Sequence, residues 1–266
     1  MANKVDQQVI DEFRRASFLM DRLTYDNTIS PGTGGSTLTY GYIQLKTPST
    51  AGVRAINSEY TANEAKRQEK TAKAVILGGS FEVDRVIANT SGAVDEIQFQ
   101  LNQKILAGRN YFHNLVINGT SASSGTGYVP NTFDGLKKTL TGSDTEFASA
   151  VDLSTSAMMD ANYNAFLDEL DSFLGELDGT PDMLLMNNKM LTKLRSIARR
   201  AGYWAQVRDE FGRVVDTYNG IPMMDLGKYY NGSATVDVVD TSAPSTSAFG
   251  MTSIYAVCLG LDAFHG

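Results

Sequence analysis

The sequence predicts an α+β protein, its helices segregated from mostly antiparallel strands instead of alternating with them. Three observations carry that expectation. Apolar residues recur at helical spacing from Ser91 to Ile117, and again over 160–177. After Gly202 the chain becomes a succession of short apolar runs, with Asn219-Gly220 between two of them as a hairpin turn signal. No internal repeat is present.

The first 25 residues read as a short amphipathic helix in which Val9, Phe13, Leu19 and Leu23 cluster loosely. Ser30-Pro31-Gly32-Thr33-Gly34-Gly35-Ser36 is too dense in glycine and proline to hold a helix, so the segment reads as an arm reaching away from a core. Residues 37–48 read as a strand, with Leu38, Tyr40, Tyr42 and Leu45 spread along it. A second strand is expected over 71–87, with Phe81, Val83 and Arg85 on one face. The polar stretch SEYTANEAKRQEK (58–70) lies between them. Two strands joined by a long polar tip make an extended hairpin with little core of its own, marginal in isolation. Another copy of the chain is the natural thing for it to pack against.

The strongest helix signal follows. From Ser91, with Asp95 and Glu96 at the positive end of the dipole, Val94, Ile97, Leu101, Ile105, Phe112 and Leu115 form one stripe. About 25 residues span on the order of 37 Å, long for a domain of this size. Gly108 sits inside it, and Asn118-Gly119 is a fitting C-terminal stop. In the 160–177 helix, Tyr163, Phe166, Leu167, Leu170, Phe173, Leu174 and Leu177 define the inward face. After the break at Asp178-Gly179-Thr180-Pro181, MLLM (183–186) suits a short buried strand. Asn187 reads as the N-cap of a helix to Arg200, with Leu191, Leu194 and Ile197 inward and Gly202 as its stop.

The 266 residues are compatible with one large domain or two modest ones. The net charge of −7 argues against a broad basic surface for nucleic acid. A single cysteine, Cys258, excludes an internal disulfide framework and reads as a small buried apolar residue. No run approaches the ~20 apolar residues of a membrane span, and MANKVDQQVIDEF lacks a signal peptide's apolar core, so the chain reads as cytoplasmic where it is made. The sequons at Asn118-Gly119-Thr120 and Asn231-Gly232-Ser233 then read as chance matches.

No residue pattern supports catalytic, cofactor-binding or metal-binding residues. His113 and His265 lie far apart and lack histidine or cysteine neighbours at ligand spacing, and no GxSxG elbow exists; a solvent-exposed or locally bonded histidine is the reading of each. Asp168, Glu169, Asp171, Glu176 and Asp178 read as the solvated face of their helix. Arg195, Arg199 and Arg200 complement the dipole at a helix end, with a neighbouring acidic subunit as a weaker alternative contact. The glycine-rich stretch INGTSASSGTGYVPNTFDG (117–135) is not a phosphate cradle. Gly125-Thr126-Gly127 is followed by extended Tyr128-Val129-Pro130, Lys137 and Lys138 come about ten residues late, and a helix instead of a strand precedes it. It reads as a joint.

In their order and spacing these parts resemble the major capsid proteins of tailed bacteriophages, the Hong Kong 97-like fold. The resemblance covers essentially the whole chain. The family's N-terminal arm corresponds to residues 1–36, its extended hairpin (the E-loop) to 37–87, and its peripheral domain with a long spine helix to 88–180. The axial domain corresponds to 181–266. The spine helix of that family ends in Asn-Gly before a glycine-rich loop and a Pro…Gly-Leu segment, here Asn118-Gly119 and then Pro130 to Gly135-Leu136. The axial domain opens with a buried strand, an Asn and a helix, here LLMN (184–187) with Leu191 and Leu194. It continues to a Gly-apolar-Pro turn, here Gly220-Ile221-Pro222. Relatives usually continue with further strands beyond the point that corresponds to Gly266.

The resemblance implies a structural protein and no enzyme: a shell subunit that assembles as hexamers and pentamers into an icosahedral phage or prophage head. The head would enclose double-stranded DNA without sequence-specific binding. The implied partners are other copies of the chain, a separate scaffolding protein, a portal and decoration proteins, with no cofactor and no membrane. The implied location is the virion, after assembly in the host bacterial cytoplasm. Some members cross-link through E-loop lysines; Lys66, Lys70 and Lys73 lie in the corresponding region, but no cross-link is assigned to them. An encapsulin-type nanocompartment shell shares the fold, and a nucleotide-binding enzyme or hydrolase is a remote alternative.

Overall fold

The computed structural model describes residues 17–26, 39–86, 96–121, 132–203, 205–208, 212, 214–242 and 250–266. In chain order the elements begin with α1 (Phe18–Arg22), β1 (Thr39–Thr47), β2 (Lys66–Lys73), α2 (Glu96–Asn118) and α3 (Leu136–Leu140). They continue with α4 (Ser156–Glu176), β3 (Met183–Met186), α5 (Asn188–Ala201), β4 (Ala205–Arg208) and β5 (Val214–Tyr218). Last come β6 (Ile221–Asp225), β7 (Lys228–Tyr230), β8 (Thr235–Asp237) and β9 (Tyr255–Val257). The mixture of helix and sheet is the one the sequence predicts.

The core is organised by β3, a strand with no polar face, which suits a position covered on both sides. It lies inside a five-stranded sheet of order β4-β5-β6-β3-β9, parallel to β6 and antiparallel to β9. Successive side chains of a strand point to opposite faces. Met183 and Leu185 accordingly pack with Phe18, Leu19, Val116 and Ile117, where α1 and the end of α2 cover one face. Leu184 and Met186 pack with Phe166 and Leu170 of α4 and with Leu191, Leu194 and Ile197 of α5 on the other.

Local chemistry accounts for the boundaries of this layer. Thr155 caps α4 by accepting from the Met158 N–H at 3.2 Å, so that helix starts a turn earlier than the apolar stripe alone predicts. Asn187 caps α5 through Oδ1, which accepts from the Met190 N–H at 2.8 Å, and Gly202 ends it in the left-handed conformation at φ 77°. Asn219 and Gly220 both have positive φ (49° and 81°), as a type I′ turn between β5 and β6 requires.

Asn187 does more than cap. Its buried amide nitrogen donates to the Val239 carbonyl at 3.1 Å and to Thr252 Oγ1 at 2.8 Å, tying the start of α5 to two later segments. Asn187→Ala removes a cap and leaves a buried carbonyl without this donor, so it should lower unfolding free energy by about 2 kcal/mol. Urea denaturation followed by circular dichroism measures it; a loss below about 0.5 kcal/mol would contradict the role.

Several expectations need correction. The second hairpin strand is Lys66–Lys73 and not 71–87. β1 pairs with it antiparallel from Thr39↔Lys73 to Thr47↔Lys66, with a register irregularity between Leu45 and Thr47. Both faces of KRQEKTAK meet water, so it has no apolar alternation to read; backbone pairing alone makes it a strand. Among the described residues the apolar residues from 74 to 86 form no strand, and Phe81, Val83 and Arg85 share no strand face. This stretch runs beside α2 instead, where a Cβ on Gly79 would come within 2.9 Å of Lys104 Cδ.

The other corrections concern burial. The stripe on α2 is buried only toward its C-terminal end: Ile105 and residues 113–117 are inside, whereas Ile97 is exposed. Cys258 is half-buried, not buried, with Sγ 3.9 Å from the Thr180 carbonyl, and burial pushes its thiol pKa up. Of the amphipathic N-terminal helix only α1 falls within the described residues; Val9 and Phe13, the arm at 30–36, and Ser91 to Asp95 lie outside them.

Candidate functional site

The β1–β2 hairpin leaves its apolar side chains without cover. None of residues 39–86 is buried, yet the segment carries Tyr42, Ile43, Leu45, Val53, Ile56, Tyr60 and Ile76 as exposed groups. Strand alternation sorts β1 into two faces. Tyr40 and Tyr42 stack at 6.4 Å on one, opposite Ala72 and Lys70; Ile43 and Leu45, each more than 60% exposed, occupy the other, opposite Glu69 and Arg67. The ribbon thus has an aliphatic face open to water and an aromatic face that is partly exposed.

The base of the ribbon is anchored. The His265 ring meets Tyr40 edge-on at 5.5 Å. Gly266 donates to the Thr24 carbonyl at 2.9 Å and accepts from the Asp26 N–H at 2.7 Å. Just before this clamp, α1 is held by His113, which is neither exposed nor locally bonded. It is 6% exposed, and both its ring nitrogens bond to distant residues. The Leu226 carbonyl can only accept, so Nδ1 carries the proton and donates to it at 3.0 Å. Nε2 therefore accepts from Ser17 Oγ at 2.6 Å, while that oxygen caps α1 by accepting from the Met20 N–H at 3.3 Å. Burial is the main cause that lowers the His113 pKa to about 4; Arg109 adds to it and the Leu226 bond opposes it.

Some of the charged groups flagged in the sequence are spent within the chain. Arg195 pairs with the buried carboxylate of Asp216, which also accepts from Gln206 Nε2 at 2.9 Å. Arg200 pairs with Asp160 and donates to Ser156 Oγ at 3.1 Å, joining the end of α5 to the start of α4. These two arginines thus serve internal contacts, and Arg199 is exposed. On α4, Asp168 and Glu176 are exposed, as is Asp178 just beyond the helix. Asp171 is bonded: it accepts from Tyr218 Oη at 2.6 Å and Asn219 Nδ2 at 3.2 Å, and the buried Tyr218 hydroxyl has its pKa raised. Among the described residues no group of three histidine, cysteine or carboxylate side chains is placed to hold a metal, and no helix is long and apolar enough to cross a membrane.

The glycine-rich joint lies partly outside the described residues, at 122–131, and its two ends are stitched together. Gly135 N–H donates to the Gly119 carbonyl at 2.9 Å, Thr132 Oγ1 to the Thr120 carbonyl at 2.7 Å, and Ser121 N–H to Asp134 Oδ1 at 2.6 Å. Lys138 is paired with Asp134 and Lys137 with Asp240, so both lysines near the loop are engaged by carboxylates. A carboxylate taking the backbone N–H at the loop mouth is the reverse of a phosphate site. Asn118 is likewise occupied: its amide donates to the Val238 carbonyl at 2.7 Å, and Asn231 Oδ1 accepts from the N–H groups of Ser233 and Ala234.

The described residues form a layered core that bears a ribbon of exposed apolar side chains. The chain belongs to the SU10 major capsid protein family, whose pattern matches residues 36–223. It is accordingly a bacteriophage capsid protein and not an enzyme. No curated protein matches it. Among solved structures it is similar to a chain from Mycobacterium phage Bobi, 15% identical over 84% of this chain and 69% of that one, with a TM-score of 0.47. It is also similar to a chain from the capsid of a native GTA particle, 13% identical over 71% of this chain and 63% of that one, with a TM-score of 0.38. Both scores are below 0.5, and the family match alone carries the assignment.

Proposed function

We propose that the chain is the shell subunit of a tailed-phage or prophage head with the Hong Kong 97-like arrangement. The arm is residues 1–36, the E-loop 37–87, the peripheral domain with α2 as spine helix 88–180, and the axial domain 181–266. Copies assemble as hexamers and pentamers into an icosahedral head around double-stranded DNA. A separate scaffolding protein, a portal and decoration proteins are its further partners, and assembly takes place in the host cytoplasm before the protein resides in the virion.

The observation that carries this reading is the hairpin: a capsid-family chain in which none of residues 39–86 is buried and aliphatic and aromatic side chains point into water. None of the described residues buries those groups, so burial of their apolar area at ~25 cal/mol per Å² is assigned to another molecule. The acidic balance of −7 suits a container that must also release DNA. The family match favours phage over a nanocompartment, and nothing in the structure favours the latter.

The test is expression of the chain alone and with its scaffolding protein, followed by velocity sedimentation and negative-stain microscopy. Closed shells or capsomers are the expected result. Deletion of 40–72 with a short turn in its place should leave the core folded and abolish assembly. A compact monomer under all conditions would overturn the reading.

A further inference from the structure

The sequence contains three Asn-Gly pairs, at 118–119, 219–220 and 231–232, and the fold treats them differently. In such a pair the glycine nitrogen can attack the side-chain amide before it, because glycine puts no Cβ in the way. At Asn118 the attack is blocked. The Gly119 N–H donates to the Leu115 carbonyl at 2.9 Å, and the Asn118 amide donates to the Val238 carbonyl at 2.7 Å and to Asn114 Oδ1 at 2.9 Å. At Asn219 the amide donates to Asp171 Oδ1 at 3.2 Å. That carboxylate opposes any negative charge developing on the same side chain.

Asn231 is set up in the opposite sense. It is exposed in the turn between β7 and β8, and its Oδ1 accepts from the Ser233 N–H at 3.0 Å and the Ala234 N–H at 2.8 Å. The ring closed by the Ser233 bond contains the Gly232 nitrogen, so the side-chain carbonyl is folded back over the group that would attack it. Among the described residues none accepts from the Gly232 N–H, and a Cβ on Gly232 would meet nothing within 4 Å, so the approach is open. Two backbone donors aimed at the amide oxygen stabilise the charge it acquires when its carbon is attacked, as an oxyanion hole does.

We propose that Asn231 is a site of spontaneous deamidation, and that the turn holding it promotes the reaction. The Gly232 nitrogen bonds to Asn231 Cγ and gives its proton to water. The Cγ–Nδ2 bond then breaks, the nitrogen leaves as ammonia, and a succinimide ring remains. Water opens that ring at either carbonyl, to aspartate or to isoaspartate. Aspartate keeps an acceptor for the two N–H groups and adds a negative charge. Isoaspartate runs the main chain through Cβ and Cγ, so the bond from the Asn231 N–H to the Ala234 carbonyl, 3.1 Å, loses its register and the β7–β8 turn opens. The modification is independent of the shell reading and marks the age of the chain.

Incubation of the folded chain in mildly alkaline buffer tests it, read by peptide mapping with mass spectrometry and by isoaspartyl methyltransferase labelling. Residue 231 should convert at least about tenfold faster than residues 118 and 219. The same incubation in urea should bring the three rates together, with residue 231 no faster than in the folded chain. Asn231→Gln, whose longer side chain would have to close a larger ring, should remove the residue 231 signal and leave the other two as they were. Conversion of Asn118 or Asn219 at the rate of Asn231 in the folded chain, or faster conversion of Asn231 in urea than in the fold, would overturn the proposal.

Discussion

Gly119→Ala and Gly135→Ala should each lower unfolding free energy by about 4 kcal/mol, an unusually large loss for adding one methyl group. A Cβ on Gly119 would lie 2.5 Å from the carbonyl oxygens of both Leu115 and Phe133. On Gly135 it would lie 2.6 Å from the Ile117 oxygen and 2.8 Å from the Gly119 nitrogen. Every one of these atoms is backbone, so no side chain can swing aside to relieve the overlap. The end of α2 and the strand of chain at 132–135 must part, and the three hydrogen bonds that stitch the joint go with them. Phe133 and Leu136, which pack against the same core as Val116 and Ile117, are displaced as well. The two substitutions should be far from additive, because the separation forced by one makes room for the other. Gly175→Ala is the control. It is an exposed helical glycine whose Cβ would meet nothing within 4 Å, and alanine there should be neutral or stabilising by up to ~1 kcal/mol. Urea denaturation of the three variants decides it, and a Gly119→Ala protein within 1 kcal/mol of wild type would show that the joint is not close-packed.

Gly119 shows how a correct boundary can rest on an incorrect cause. Asn-Gly after a long apolar stripe suggests a left-handed helix stop, and α2 does end at Asn118. Yet Gly119 is not among the positive-φ residues; it is needed for the missing Cβ, because residues 133 and 135 cross it. Cap chemistry is local and legible, whereas a crossing by a segment some fifteen residues away is a tertiary fact. The same division runs through the fold. β3, the caps at Asn187 and Gly202 and the turn at Asn219-Gly220 are all written in short contiguous patterns, and all appear where those patterns place them.

What escaped the sequence is what depends on a partner segment. β2 has no periodic signal since both its faces are wet, and a register set by a backbone ladder leaves no trace in side-chain type. The outer half of α2 carries a proper apolar stripe, but Ile97 is about half exposed. That the hairpin exists was legible from the polar stretch between apolar runs. His113 was the largest miss. A lone histidine on a helix carries no sign of its surroundings, and its two bonds come from residues 96 and 113 positions away.

That histidine gives the second large effect, a loss of up to about 3 kcal/mol as the pH falls from 6.5 to 4. In the unfolded chain an imidazole takes a proton near pH 6.5; in the folded chain His113 holds off to about 4. Between those values the unfolded state binds a proton that the folded state lacks, so stability falls with falling pH. Above 6.5 neither state is protonated, and the full contribution is present. The cost has a structural location. A proton on Nε2 cancels its acceptance from Ser17 Oγ, the oxygen that caps α1, and places a cation in a site that already excludes water. The segment that should loosen first is therefore α1, whose Phe18 and Leu19 cover one face of the sheet. Carboxylates also titrate in this window, so the comparison that isolates the histidine is with His113→Gln. That variant should be less stable at pH 7 and have a shallower slope of unfolding free energy against pH between 6.5 and 4. Hydrogen exchange at pH 4.5 should show the amides of residues 18–22 opening before those of β3. Parallel slopes for wild type and His113→Gln would mean that the imidazole is free to ionise in the folded protein and that α1 is held by its apolar contacts alone.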